Sequence, residues 1–477
     1  MNPREDVFTI WPAKYSYYGI GAAILVTFII AAYFGLQAIA PHWLIINLIA
    51  VILYFVAINI VSARSVKSSD QRFARNLFWF AWIMRLLFMV IIVMVAEVTW
   101  DRPFYVGAVD ATRYHRVAAE VAEIILSGAF SSIFPHLMLE YGSIDNIGVP
   151  LVLGPVNALF GSSPIVGKLF FTLMGSGTVL LAYKTARLIW DESTARLAGI
   201  MLAFFPLALF YSSVLLKEEF VVFLSLLGIY VITKSVHSNK ISIRDFALLL
   251  FAMVFLFFFR TAAGALLAAV VVGTLVLNRY GGNILYTLFI TGFIFGAFTF
   301  FLDLFGELDH YVARVTGFGD FAEARVRGVA GGNPLATIVG TPMYVLLAFI
   351  APFPAMVDTR IVTGLSHDAT YYWISGLIIW NFIIYFGLTG LWKSLKTNSR
   401  ESFPVWAFAA GYTIILGLTA MFTAVRFGYN AMPMFFILIA VGIKYRRELP
   451  YWQIYLAGAI FLIFAWNVFR LAGRGMV

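Results

Sequence analysis

The chain has 477 residues, 62% of them hydrophobic and only 12% charged, with a mean hydropathy of +0.90. A soluble fold of this length could not keep so much apolar surface out of water, so the composition excludes the soluble classes and implies a polytopic membrane protein. The net charge of +9 falls in short Lys and Arg clusters between apolar runs, without the dense basic tracts of a nucleic-acid binder, and the absence of cysteine excludes a disulfide framework or a thiolate metal site.

The apolar runs are about 16 to 24 residues long and lack the strict alternation of a lipid-facing barrel strand, so helices are expected to span the bilayer. Met1 to Tyr18 carries Arg4, Glu5, Asp6 and Lys14 with no clear small-residue cleavage site, which favours a retained first helix over a removed signal peptide. Gly19 to Ala40 and Trp43 to Ser62 read as a helical hairpin turning at Pro41-His42. The next loop, with Arg64, Lys67, Arg72 and Arg75, is expected in the cytoplasm, which places the N-terminus inside and the Pro41 turn outside. Leu77 to Thr99 then runs outward, carrying Arg85 and Glu97, two ionisable groups expected to face the bundle interior.

That span delivers Trp100 to Ala118, W-D-R-P-F-Y-V-G-A-V-D-A-T-R-Y-H-R-V-A, to the outer face with Asp101 and Asp110. From Asp110 to Leu126, Val117, Val121, Ile124 and Ile125 recur at helical spacing opposite Arg113, Arg116, Glu120 and Glu123, the pattern of an amphipathic interfacial helix. Ile147 to Phe160, interrupted by Pro150, Gly154 and Pro155, is too short to cross and is expected along the surface as well. Spans follow near Pro164–Ile189, Leu197–Leu215, Phe220–Thr233, Phe246–Phe259 and Ala262–Leu277, which puts Lys217-Glu218-Glu219 and Arg260 on the same side as Asp110.

Asn283 to Phe301 leads to a polar loop, Asp303 to Pro334, with Arg314, Arg325 and Arg327; its glycines form no phosphate-binding G-x-x-x-x-G-K pattern. Ala336 to Ala351 reads as re-entrant or interfacial, ending at Pro352-Phe353-Pro354. Tyr372–Leu391, Val405–Thr423, Met432–Ile443 and Gln453–Phe469 complete the set. The expected fold is an all-α integral membrane bundle of about 11–13 transmembrane helices with amphipathic interfacial helices in the first large extracytoplasmic loop. Its parts are a hairpin and basic loop at 1–76, a catalytic core at 77–302 with its loop at 100–163, a Gly/Arg loop at 303–371, and C-terminal helices at 372–477.

D-A-x-x-Y-x-x-x-A from Asp110 to Ala118 is followed by L-F-G-S-S-P at Leu159–Pro164 and L-A-Y-K-T-A-R-L at Leu181–Leu188. F-F-P-L-A-L-F-Y-S-S at Phe204–Ser213 and K-E-E at Lys217–Glu219 come next, then Arg260 and R-F-G-Y-N-A-M-P at Arg426–Pro433. This ordered series resembles the membrane glycosyltransferases of the GT-C superfamily, especially the protein O-mannosyltransferase and aminoarabinose-transferase branch. The resemblance implies sugar transfer from a polyprenyl-phosphate donor on the outer face, with an acid of the first large external loop as base. The sequence departs from the pattern in two ways. Ala111 stands where the family commonly has a second acid, and a helical hairpin precedes the expected first span, with no large soluble C-terminal domain following within this sequence.

Transfer from a lipid phosphate needs a base for the acceptor proton and cations for the departing phosphate. Asp110 is the first candidate base and Asp101 the second; Arg260, Arg426, Lys217, Arg325 and Arg327 are candidate phosphate ligands; Glu218, Glu219, Tyr114 and His115 are further site candidates. Plainer roles stand beside these. Asp110 can cap its helix, Asp101 can end its span, the arginines can anchor at the interface, and Glu218 and Glu219 can pair with Lys217 or an arginine. His115, His310 and His367 have no metal-ligand spacing. No cofactor is called for, and a divalent metal is left open.

The sequence therefore points to a multi-pass enzyme of the cytoplasmic membrane with an extracytoplasmic active site. Its partners would be a polyprenyl-phosphate-linked sugar, a glycan, lipid or protein acceptor, and membrane lipid, with no nucleic acid. A polysaccharide polymerase using lipid-pyrophosphate-linked units and a transporter or flippase of lipid-linked sugars are the alternatives. A transporter would be expected to show broken helices in paired halves with polar groups near the bilayer midplane, whereas the charged groups here concentrate at one face, which favours interface chemistry.

Overall fold

Helix starts and stops in this chain follow its prolines, glycines and capping side chains. The computed structural model describes residues 11–35, 41–104, 109–238, 240–279, 292, 342–357, 373–418, 421 and 424–472, and among these there are helices and turns but no strand. Helices α1 (Ala13–Phe34) and α2 (Pro41–Ser65) form the expected hairpin. The start of α1 is tied to α2 by Trp11 Nε1 donating to Ser16 Oγ at 3.0 Å and Ser16 Oγ donating to the Phe55 carbonyl at 3.0 Å. Helix α3 (Asp70–Trp100) stops at Asp101, whose left-handed φ of 52° lets its N–H reach back to the Glu97 carbonyl at 2.9 Å. Arg85 is buried inside the bundle as expected of an ionisable group in a span; Glu97 is exposed, one turn from the helix end, where water or headgroups can solvate it.

The amphipathic stretch is α4 (Val109–Leu126), followed by α5 (Ile133–Tyr141) and α6 (Gly148–Phe160). Helix α4 packs on α6 and α5 and buries Ala111, Tyr114, Val117, Ala118 and Val121. Helices α4 and α6 approach so closely that a Cβ on Gly154 would stand 2.3 Å from a Val121 methyl, which reserves the position for glycine.

Helix α7 (Pro164–Ile189) starts on the Ser163 hydroxyl and a proline in its first turn. The single span expected at Leu197–Leu215 is instead two short helices, α8 (Glu192–Phe204) and α9 (Pro206–Tyr211). Pro206 has no N–H to give and its ring pushes Phe205 out of the helical region, to φ −66° and ψ 120°. Both helices are buried almost all round at the centre of the bundle. Helices α10 (Glu218–Ser238), α11 (Ile243–Phe259) and α12 (Thr261–Arg279) follow, with Arg260 alone forming the turn between the last two.

Residues 342–348 are helical and 351–357 are not. Irregular backbone within an apolar bundle needs partners for its polar groups, and side chains supply them here. Asn381 Nδ2 donates to the Ile350 and Pro352 carbonyls at 2.8 and 3.2 Å. Asn467 Oδ1 accepts from the Met356 and Val357 N–H groups, and its Nδ2 donates to the Pro354 carbonyl. The chain closes with α13 (Ile374–Thr397), α14 (Phe403–Leu418), α15 (Val425–Tyr429), α16 (Met432–Lys444) and α17 (Trp452–Ala472). Among the described residues eight helices have the length and composition to cross a bilayer, beside shorter apolar helices such as Phe403–Leu418 and Met432–Lys444. The fold is all-α and polytopic, as expected.

The bundle has two chemically distinct ends. At one, Arg196 reaches Asp70 and Glu192 at 2.7 Å each, Arg187 reaches Asp70 at 2.9 Å, and Lys444 pairs with Asp191, tying together the loops of the expected cytoplasmic side. Helix α10 runs from that end, where Lys234 pairs with Asp245, to the other, where it presents Glu218 and Glu219.

Candidate functional site

The site forms where four segments far apart in sequence meet at that second end. Helix α4 contributes Asp110 from its first turn, where a carboxylate complements the helix dipole. The 212–217 turn and the start of α10 contribute Lys217, Glu218 and Glu219; the α11–α12 turn contributes Arg260; and α15 contributes Arg426 and Phe427.

Arg426 Nη1 donates to Asp110 Oδ2 at 2.6 Å, and its Nε lies 3.9 Å from Glu218 Oε1. The same Glu218 oxygen accepts from Arg260 Nη2 at 3.2 Å, and Arg260 Nη1 donates to the Tyr412 hydroxyl at 3.1 Å. Tyr412 also accepts from Asn430 Nδ2 at 2.8 Å. Both guanidinium groups lie on the Phe427 ring, at 4.4 Å for Arg260 and 5.1 Å for Arg426, a cation–π arrangement that holds two like charges side by side. The site is layered. The Asp110 and Arg426 side chains are 47% and 40% exposed, whereas Glu218 and Arg260 beneath them are 1% and 8% exposed.

Lys217 Nζ donates to the Asp145 carbonyl at 2.9 Å and to Asn146 Oδ1 at 2.6 Å, and lies 4.0 Å from the Asp145 carboxylate. Burial, and then the like charge of Arg260, push its ammonium down to about 8. Lys217 thereby pins the short turn Ile144–Asn146, between α5 and α6, to the start of α10. Glu219 points away from its neighbour, accepting from Thr178 Oγ1 at 3.1 Å and from the Tyr429 hydroxyl at 2.9 Å, and Tyr429 stacks on Tyr211 at 4.4 Å.

Tyr114 is buried one turn after Asp110 and lies against Tyr141, with ring centroids 5.9 Å apart. His115 packs on Phe104 at 5.8 Å, and burial pushes its imidazole below the ordinary histidine value. Asp101 sits outside the cluster, exposed, as the cap of α3. Arg325, Arg327, His310 and His367 lie outside the described residues. Among the described residues no three of His, Asp and Glu stand close enough together to hold a metal ion.

Sequence reasoning missed Tyr412, Asn430, Phe427 and Asp145. Phe427 and Asn430 lie inside the quoted R-F-G-Y-N-A-M-P run and were readable there as neighbours of Arg426. Tyr412 sits inside an apolar helix and carries no local signal, and Asp145 belongs to a short polar turn of ordinary composition.

An all-α membrane bundle with two arginines meeting Asp110 and the buried Glu218 at one end is the class the fold and site define. The model of the dolichyl-phosphate-mannose-protein mannosyltransferase family matches residues 147–303. This bears out the resemblance to the GT-C superfamily and supports an integral membrane glycosyltransferase of the GT-C type. The matched stretch holds Lys217, Glu218, Glu219 and Arg260; Asp110 and Arg426 lie outside it and reach them through the fold. No curated protein matches the chain.

Proposed function

We propose that the protein transfers a sugar from a polyprenyl-phosphate donor to an acceptor hydroxyl at the extracytoplasmic face, in the assembly of a cell-surface glycan or glycoconjugate. The observation that carries this is the meeting of Asp110 with Arg426 and Arg260, an acid beside two cations at the mouth of a membrane bundle. The acceptor oxygen attacks the anomeric carbon and its proton passes to Asp110. The bond from that carbon to the phosphate oxygen breaks, and polyprenyl phosphate leaves with the electron pair. Arg260 and Arg426 offset the charge that develops on the leaving phosphate, and a guanidinium suits a phosphate because its fork can make two parallel hydrogen bonds. Arg426 is bonded to Asp110, so a phosphate that takes the arginine also frees the carboxylate to act as base. Lys217 has most of its donors committed to the Asp145 turn, and its place in this reading is to hold the floor of the site.

The test is the lipid-linked species that accumulates when the gene is deleted and complemented with Asp110→Asn. A sugar carried on polyprenyl monophosphate is the expected species. Accumulation of a pyrophosphate-linked oligosaccharide instead would replace this reading with that of a polymerase.

A further inference from the structure

We propose that Glu218 is a positioning residue for the donor phosphate: one carboxylate oxygen sets two arginines side by side so that they act as a single clamp. The inference rests on the reading of Arg260 and Arg426 as phosphate ligands and goes beyond it to what holds them. Glu218 Oε1 is 3.2 Å from Arg260 Nη2 and 3.9 Å from Arg426 Nε, while the two guanidinium groups share the Phe427 ring. Two cations at this spacing repel one another, and a buried anion between them removes that repulsion. The Glu218 side chain is 1% exposed, and its other oxygen, also buried, has no hydrogen-bond partner among the described residues. A carboxylate buried in this way is not free to swing out when a phosphate arrives. Asp110, 47% exposed, is the anion that can yield. Glu218 stays and keeps the donors aimed.

A bare counter-charge and a positioning residue make opposite predictions. If Glu218 only neutralises, Glu218→Gln removes a repelling anion from beside the phosphate and binding tightens. If Glu218 positions, the arginines lose their common anchor and binding weakens although a negative charge has gone.

The experiment measures binding of a short-chain polyprenyl monophosphate to the purified full chain in detergent, with monodispersity and melting temperature recorded for each variant. Glu218→Gln is expected to bind about tenfold more weakly than wild type, the scale of a lost charge-assisted hydrogen bond. Glu218→Asp, which keeps the charge on a shorter arm and is the milder change to the fold, is expected to fall between the two. Adding Glu218→Gln to Arg260→Ala should cost less than it does alone, because the residues act as one unit. Wild-type or tighter binding by a folded Glu218→Gln or Glu218→Asp protein would overturn the proposal. If Arg260→Ala and Arg426→Ala bind the lipid normally, the phosphate reading itself is wrong, and that result is distinct from a failure of Glu218 alone.

Discussion

Asp110 and Arg426 are 316 positions apart in sequence and form an ion pair 2.6 Å long, joining the first turn of the amphipathic helix α4 to the five-residue helix α15. The pair couples the two halves of the proposed chemistry, because the acid that would take the acceptor proton is held by the arginine that would take the phosphate. Its consequences separate the role of each residue.

Asp110→Asn keeps the size of the side chain but removes its basicity and its charge. Sugar transfer is expected to fall about a hundredfold to ten-thousandfold. Binding of polyprenyl phosphate is expected to persist or tighten, since Arg426 is released from its carboxylate. Asp101→Asn is the matched control: asparagine tolerates the left-handed backbone of that cap, so the helix end is kept and transfer should stay near wild type. Transfer assays on both proteins beside lipid binding decide the matter. Normal transfer by the Asp110 variant with loss in the Asp101 variant would move the base.

Arg260 and Arg426 each use separate guanidinium nitrogens to reach two partners, Tyr412 with Glu218 and Asp110 with Glu218. A lysine ammonium is a point charge on a flexible stem and cannot reproduce that fork. Arg260→Lys and Arg426→Lys are expected to weaken polyprenyl phosphate binding about tenfold, and the alanine variants more. Calorimetric titration of each variant with the lipid phosphate measures this, and unchanged affinity in both alanine variants would make the arginines interface anchors.

Lys217 makes stability depend on pH. Its folded value, lowered to about 8 by burial and by Arg260, lies below the ordinary lysine value of 10.5 that the unfolded chain would show. Between those values the unfolded state binds the extra proton, so the contribution of Lys217 to stability rises as pH increases from about 8 to 10.5 and is flat below. The melting temperature of wild type relative to Lys217→Met should therefore climb across that window. A difference that stays constant from pH 7 to 10 would show that the lysine does not titrate in the fold.

Much of the architecture was legible because the bilayer imposes a simple rule on sequence. Apolar length marked α2, α3, α7 and α10, and the 3.6-residue rhythm of Val117 and Val121 marked α4. The rule failed for α8 and α9, where a fully buried apolar run reads like a span and only Pro206 betrays the break. The candidate site was legible as a set of charges, since Asp110, Lys217, Glu218, Arg260 and Arg426 are conspicuous in an apolar chain. Their pairing was not, because a contact between Asp110 and Arg426 depends on how helices pack and leaves no mark on local sequence. Tyr412 shows the same limit: it looks like one more aromatic of an apolar helix until Arg260 is seen beside it.

The two ends of the bundle differ in charge in a way that fixes an expected orientation. Arg64, Arg72, Arg75, Arg187, Arg196, Lys444, Arg446 and Arg447 belong to the short loops and helix ends of the end opposite the site, and short loops rich in Lys and Arg are retained in the cytoplasm. The site end should then face outward. Ala111 beside the acid is buried and would label poorly, so Ser127, exposed just past the end of α4, is the better probe of the site end. Thr397, exposed at the last turn of α13, probes the other. Among the described residues their hydroxyls bond to the nearby Ile124 and Lys393 carbonyls alone, so cysteine at either place disturbs little. In this cysteine-free chain, Ser127→Cys is expected to react with a membrane-impermeant thiol reagent in intact cells, and Thr397→Cys only after permeabilisation. The reverse pattern would place Asp110 and its arginines in the cytoplasm, where the acceptor and donor would have to be sought instead.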